Sequence, residues 1–251
     1  DAQESRGLGD VYKRQLQHVL PQLFAPGFRA SIPGDLCAVL GEAQGVALEA
    51  DLALAPHLFV VGPTGSGKSQ FLRILAKSLT NRYLPTELQL MLVDFKGGAL
   101  LDGLGIDPWM VANVSDLDSD RSSFWVGLHN LLLERERDPT QLKPRVVIIV
   151  DELAEVIRDQ AAFLALTSVA ARGRSLGVHL VLANQGLSGV PRDLLLNLRL
   201  RVALAGVDQV ELVQLGGKAS ALTSSQHPLV SARMIAHQSP DGDFNFAVGL
   251  V

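Results

Sequence analysis

The sequence predicts an α/β fold: a mostly parallel sheet with helices on both faces, preceded by a short N-terminal β-hairpin. Three observations carry this. The runs HLFVV (57–61), QLMLV (89–93), VVIIV (146–150) and HLVLA (179–183) are short and almost wholly apolar, as strands buried on both faces are. Segments of helical period lie between them, at 68–80, 121–136 and 153–170. The glycine-rich run GPTGSGKS, Gly62 to Ser69, joins the first of those strands to the first of those helices.

Taken in order, residues 1–15 are set aside as an artefact. SRGLGDVYKRQ (5–15) matches one reading frame of a common transposase-based sequencing adaptor residue for residue, so a longer natural protein is expected. Residues 16–56 form an N-terminal extension. Leu20, Leu23 and Phe24 hint at a short helix, APGFRASIPGD reads as loop, and LCAVLGEAQGVALEADL has two short apolar runs about Gly41 to Gly45, the pattern of a hairpin. Residues 57–251 read as one nucleotide-binding domain. In its first helix, Phe71, Leu72, Leu75 and Leu79 share one face and belong to the core. Further strands are expected at LRVALA (200–205) and DFNFAV (243–248), a helix at 207–215 and a flexible loop at 219–229. The run LLLERERD (131–138) reads as a solvated helix face, and Trp109 and Trp125 as core or interface.

Composition excludes several classes. With 47% hydrophobic residues in 251, the chain holds a large core and is not disordered. A net charge of −4 gives no global footprint for nucleic acid, although a local basic face fits within that balance. Cys37 is the single cysteine, so no intrachain disulfide forms and a reduced, cytoplasmic setting is expected. No uninterrupted apolar run reaches the ~18–20 residues that cross a bilayer. None of the six histidines has a second ligand at metal-binding spacing, and His57 and His179 read as structural.

The chemistry concentrates at strand ends. In GPTGSGKS, the residues Gly62, Pro63, Thr64, Gly65, Ser66 and Gly67 form a loop whose glycines let backbone N–H groups turn around a phosphate. Lys68, Ser69 and Gln70 then open a helix whose positive end faces the same phosphate. Lys68 would bridge the β- and γ-phosphates of ATP and the Ser69 hydroxyl would ligate Mg²⁺. RVVIIVDELAEV ends its strand in Asp151, a Mg²⁺ ligand through water, and Glu152, the base for the attacking water. An acidic pair also suits a plain helix N-terminal turn. HLVLANQ presents Asn184 and Gln185 at a strand's carboxyl edge, either to sense the γ-phosphate or simply to turn the chain. AARGRSLGVH places Arg172 and Arg174 at a helix end, expected on the same side of the sheet as the phosphate loop. There Arg174 either caps the helix or reaches a neighbouring subunit's γ-phosphate. In VDFKGGALLDG, Asp94 and Lys96 end a strand near the site, and Gly97 and Gly98 allow a tight turn.

Together, GPTGSGKS, VDFKGG, VDELAEV and GRSLGVHLVLANQ resemble the FtsK/SpoIIIE family of ring-forming motor ATPases from about Leu36 to Val251. LVDFKGGALLDGL followed by MVANVSDLDSD is most similar to the multi-module ATPases of type VII secretion systems, EccC and EssC, above all their first module. DNA-pumping members tend to carry a DPK-type sequence at that place. The resemblance implies a RecA-like P-loop NTPase fold, ATP and Mg²⁺, and a homo-hexameric ring or tandem-module assembly. It also implies a membrane-anchored region upstream, a location at the cytoplasmic face of the bacterial inner membrane, and small helical-hairpin proteins as secretion substrates. Two departures bear on turnover. Where the family usually reads ATQRP or ASQR this chain has ANQGLSG, with Asn184 for a hydroxyl residue and Gly186 for an arginine; and VDQVEL lacks the arginine of the usual Asp-Ser-Arg. The expected function is an ATPase module for protein export. The alternatives are a double-stranded DNA translocase and a regulatory nucleotide-binding module with weak turnover.

Overall fold

The computed structural model describes residues 36–43, 46–96, 99–115, 118, 121–140, 142–216, 230–236 and 244–248. The expectations for residues 1–15, for a helix near Leu20 to Phe24, for the turn at Gly97 and Gly98 and for the loop 219–229 lie outside them. Ten strands among the described residues form one sheet: β1 (Cys37–Ala43), β2 (Val46–Asp51), β3 (Leu58–Val61), β4 (Leu88–Asp94), β5 (Met110–Ser115), β6 (Arg145–Asp151), β7 (Val178–Asn184), β8 (Leu200–Leu204), β9 (Val230–Ala236) and β10 (Phe244–Val248). The helices are α1 (Lys68–Arg82), α2 (Arg121–Arg137), α3 (Leu153–Val156), α4 (Gln160–Arg172), α5 (Arg192–Asn197) and α6 (Gln209–Gln214). Strand order is β2-β1-β10-β9-β8-β3-β7-β6-β4-β5. The six strands from β8 to β5 pair in parallel and the other pairings are antiparallel, so the expected mostly parallel nucleotide-binding fold is present.

Period-two alternation explains how this sheet is covered on both faces. On β3, Leu58 and Val60 join one cluster with Phe71, Leu72, Leu75 and Leu79 of α1, whereas Phe59 and Val61 join the other with Trp125 of α2 and Leu166 of α4. All four apolar residues expected on one face of α1 are fully buried. The hairpin β1–β2 is part of the same core: Leu36, Ala38 and Leu40 pack in the α1 cluster. The Cys37 N–H donates to the Tyr83 hydroxyl (2.8 Å) and the Val39 N–H to Ser78 Oγ (2.7 Å). These bonds tie the hairpin to the helix that follows the phosphate loop.

Some boundaries differ from expectation, each for a local reason. The helix expected over 153–170 is two helices, because Asp159 caps a new start by accepting the Ala161 N–H at 2.8 Å. β5 is an edge strand whose Val111 is exposed, and its mixed composition carries no buried-strand signature. β9 and α5 also go unread in sequence; α5 follows Pro191 and is only six residues long. The run 131–138 is not simply a solvated face. Leu132 and Arg135 are buried, and the Arg135 guanidinium donates to the Leu176 carbonyl (2.7 Å) and the Pro144 carbonyl (2.5 Å), stapling the loops that lead into β6 and β7. Trp125 is core, and the Trp109 indole donates to the Tyr83 carbonyl at 2.8 Å.

His57 and His179 are buried at the amino end of the sheet, their rings 6.3 Å apart. His57 holds a φ of 68°, and its Nδ1 accepts the Leu180 N–H at 3.0 Å. Burial pushes the His57 pKa down to about 4; burial and the neighbouring His57 push His179 to about 3. Above about pH 6.5 both are neutral folded or unfolded. As pH falls from there towards the folded values, the unfolded chain takes up protons that the folded one refuses, and stability drops. The urea midpoint is therefore expected to fall between pH 7 and pH 5. His57→Asn should weaken that slope, because asparagine tolerates the same backbone and does not titrate. A midpoint independent of pH over this range would contradict the burial argument.

Candidate active site

The carboxyl ends of β3, β4, β6 and β7 converge on one edge of the sheet, where open α/β folds bind ligands. The loop Gly62 to Gly67 leaves β3 there and enters α1. Its path depends on glycine: Gly65 and Gly67 hold φ of 82° and 91°, and Gly67 is the N-cap of α1 with no side chain capping it. The first-turn N–H groups thus face outward at the helix's positive end. A Cβ on Gly62 would lie 2.4 Å from Ser66 Oγ and 2.8 Å from Leu204 Cβ, so no larger residue fits where the loop presses against β8. Ser66 Oγ itself is buried with no hydrogen-bond partner, an unsatisfied polar atom inside the loop. Pro63 and Thr64 form the turn, the Pro63 carbonyl accepting the Ser66 N–H at 3.1 Å.

Lys68 and Glu152 meet at the centre. Lys68 Nζ lies 3.6 Å from Glu152 Oε1, and both side chains are more than nine-tenths buried. Gln185 Nε2 donates to the same Oε1 at 3.1 Å, and Gln185 Oε1 lies 3.4 Å from Thr64 Oγ1, so Gln185 links the phosphate loop to Glu152. Lys96 Nζ also pairs with that oxygen. Burial pushes the Glu152 pKa up, but hydrogen bonds from Lys96 and Gln185 and the charges of Lys68 and Lys96 outweigh it, leaving the carboxyl below its ordinary value. Beside it, burial raises the Asp151 pKa even though Lys68 is near. Asp151 Oδ1 accepts the Glu152 N–H at 3.0 Å. Glu152 has a φ of 54°, a left-handed backbone uncommon outside glycine, which turns its carboxylate back over the phosphate loop before α3 begins.

Ser69 and Gln70 occupy the first turn of α1, with Ser69 exposed. One carboxylate at Asp151 and one hydroxyl at Ser69, beside a loop built for phosphates, is the donor set Mg²⁺ takes with a nucleotide. The residues present fit that ion. Asn184 is at the edge as expected, but its side chain is engaged in holding structure: Oδ1 accepts the Ala154 N–H (3.0 Å) and Nδ2 donates to the Gly186 carbonyl (2.7 Å). Of the Asn-Gln pair, Gln185 is the residue that faces the site.

Arg172 and Arg174 lie elsewhere. α4 starts at the carboxyl edge and runs back to the amino edge, where a short 3₁₀ turn, Gly173–Leu176, leads into β7. Arg174 is exposed on that turn, about 20 Å from the phosphate loop if the length of β7 is counted at ~3.3 Å per residue. The expectation that both arginines share the loop's side of the sheet is thereby corrected. Arg172 pairs with Glu136, and Arg174 lies too far along the sheet to reach its own phosphate loop.

Sequence reasoning missed two contacts. One is Lys96, whose reach to Glu152 depends on Asp94 and Asp151 standing in register on adjacent strands. The other joins the ANQGLSG and VDQVEL segments. Glu211 Oε1 accepts the Leu187 N–H at 2.7 Å and sits 2.7 Å from where a Gly186 Cβ would be. An acid on α6 thus occupies the space beside Gly186.

The sequence model of the FtsK/SpoIIIE family matches residues 28–108, which carry the phosphate loop, α1 and the DFKGG sequence. The matched segment supplies two of the four strands that converge on this edge, β3 and β4. About a third of the chain thus resembles the FtsK/SpoIIIE family. The chain is 34% identical over 163 residues to the type VII secretion system protein EssC of Staphylococcus aureus, covering 56% of this chain and 11% of EssC. To the ESX secretion system protein YukB of Bacillus subtilis it is 32% identical over 184 residues, 63% of this chain and 12% of YukB. Among solved structures, the cytoplasmic domain of the type VII secretion ATPase EccC of Thermomonospora curvata superposes with a TM-score of 0.76 at 26% identity, over 90% of this chain and 30% of that one. The chain thus spans about a tenth of the length of the curated relatives it matches. No helix among the described residues is long and apolar enough to cross a membrane.

Proposed function

We propose that this chain is an ATP-binding and hydrolysing module of the FtsK/SpoIIIE type that powers or gates protein export in a type VII secretion system. The observation that carries the ATPase reading is the meeting of Lys68 and Glu152 over a glycine-shaped loop, with Asp151 beside them. Likeness to EssC, YukB and EccC supports secretion as the setting.

On this reading the loop N–H groups from Gly62 to Ser69 cradle the β-phosphate, and Lys68 leaves Glu152 for the β- and γ-phosphates. Ser69 and Asp151 would hold Mg²⁺, which when bound neutralises charge on the phosphate oxygens. Glu152 orients the attacking water and accepts its proton, while Gln185 positions the carboxylate from the γ-phosphate side. Arg174 of a neighbouring copy or module completes the site.

Lys68→Ala is expected to weaken ATP binding at least tenfold, since it removes a buried cation at the mouth of the phosphate loop; equilibrium binding of a fluorescent ATP analogue measures this. Unchanged affinity would overturn the site. For the cargo, turnover should rise with a small helical-hairpin protein bearing a secretion signal. Stimulation by long duplex DNA instead, with binding that falls steeply with salt, would favour a DNA translocase. The Glu211–Gly186 contact, at a position where the family usually has arginine, favours the third reading, a regulatory module with weak turnover.

A further inference from the structure

The residues that flank Gly97 and Gly98 are anchored on both sides, and one side chain, that of Lys96, lies over the Glu152 carboxylate. Asp94, itself buried, accepts the Lys96 N–H on Oδ1 (2.9 Å) and the Leu100 N–H on Oδ2 (3.1 Å), clamping the turn that leaves β4. Beyond it, Arg73 of α1 donates to the carbonyls of Leu100 (2.8 Å) and Asp102 (3.0 Å), and Lys77 donates to that of Leu104 (2.9 Å). The segment is therefore strapped to the helix that follows the phosphate loop. Register between β4 and β6 puts Asp94 opposite Asp151, two residues before Lys96 and one before Glu152. From that root the Lys96 side chain, 48% exposed, reaches in from solvent to a Glu152 side chain that is only 6% exposed.

Glu152 Oε1 is the common acceptor for Lys96, Gln185 and Lys68. Lys68 has a second partner to go to, the phosphates, and Gln185 is neutral. Lys96 is the cation that has no such call on it and that keeps the carboxylate paired once nucleotide has entered. A carboxylate held by a cation at this oxygen is a poor acceptor for a water proton and is drawn towards β4.

We infer that Lys96 is a positioning residue that latches Glu152 in an unreactive pose, so that release of the Lys96–Glu152 pair sets the basal rate of hydrolysis. The inference rests on the ATPase reading above. It gives the DFKGG signature a task in its own domain: whatever pulls on the strap between β4 and α1, cargo or neighbour, can free the base.

The test uses the full chain with Mg·ATP. Lys96→Met should raise kcat roughly tenfold, the size expected of one hydrogen bond to a charged group, with KM unchanged. Lys96→Arg, which keeps the cation, should stay near the wild-type rate. In a Glu152→Gln background, Lys96→Met should leave the ATP affinity unaltered, since no carboxylate remains to be latched. A fall in kcat, or no change within twofold, overturns the latch. Weaker ATP binding in the Glu152→Gln background also overturns it and makes Lys96 a phosphate ligand. If wild type binds ATP without turnover, Lys96→Met should bring turnover into range, and continued silence refutes the latch while leaving nucleotide binding intact. Absence of ATP binding by wild type would instead defeat the ATPase reading. Thermal unfolding of Lys96→Met, a half-exposed position, controls for folding.

Discussion

Glu152→Gln is expected to reduce steady-state ATP turnover by about a hundredfold or more while leaving ATP binding intact, the loss typical of removing a general base. The carboxylate and amide are nearly isosteric, so the left-handed backbone at Glu152 and the Gln185 contact have no steric reason to change. Only the ability to accept a proton is lost. The Lys68 ammonium would also lose a charged neighbour 3.6 Å away, so ATP affinity is expected to stay level or tighten slightly as Lys68 commits to phosphate. Malachite-green phosphate release and equilibrium binding of the nucleotide separate the two effects. Equal loss of binding and turnover would mean that Glu152 shapes the pocket instead of acting on water. Turnover that persists would move the base elsewhere, and Asp151, whose pKa is raised by burial, would be next to test.

Much of this site was legible because its parts sit where buried strands end. Runs such as VVIIV and HLVLA are apolar on both sides, so their boundaries show in sequence, and the first polar residues after them, Asp151 and Asn184, fall on the ligand edge. Glycine does the same for the phosphate loop, where backbone shape at Gly65 and Gly67 leaves no other choice. What sequence could not supply is lateral. Lys96 meets Glu152 because β4 and β6 are neighbours in a particular register, and Glu211 meets Gly186 because α6 folds back over the end of β7. Neither adjacency has a local signature. β5 went unread for a different reason: as an edge strand it is half exposed and lacks the apolar run. Arg174 lies at the amino edge because of chain direction, since a helix joining two parallel strands must return to that edge before the next strand starts.

That placement gives the second large effect. Arg174→Ala is expected to leave ATP affinity of the isolated chain unchanged, yet to lower turnover of the assembled protein by about a thousandfold, the scale at which an arginine supplied from a neighbour acts on the γ-phosphate. The argument is one of distance: an exposed guanidinium at the amino edge, with its own phosphate loop at the opposite edge, has no path to its own nucleotide. It is free to enter a site whose carboxyl edge faces it in a ring or a tandem array. Turnover should therefore rise with chain concentration. The decisive measurement mixes two inactive variants. Arg174→Ala keeps Glu152, and Glu152→Gln keeps Arg174, so an interface formed with the right polarity combines an intact base with an intact arginine, and activity should return on mixing. Full activity of Arg174→Ala alone would reduce that residue to a helix-end cation. Two dead variants that stay dead together, under conditions where wild-type turnover depends on concentration, would show that the arginine and the base do not serve a shared site.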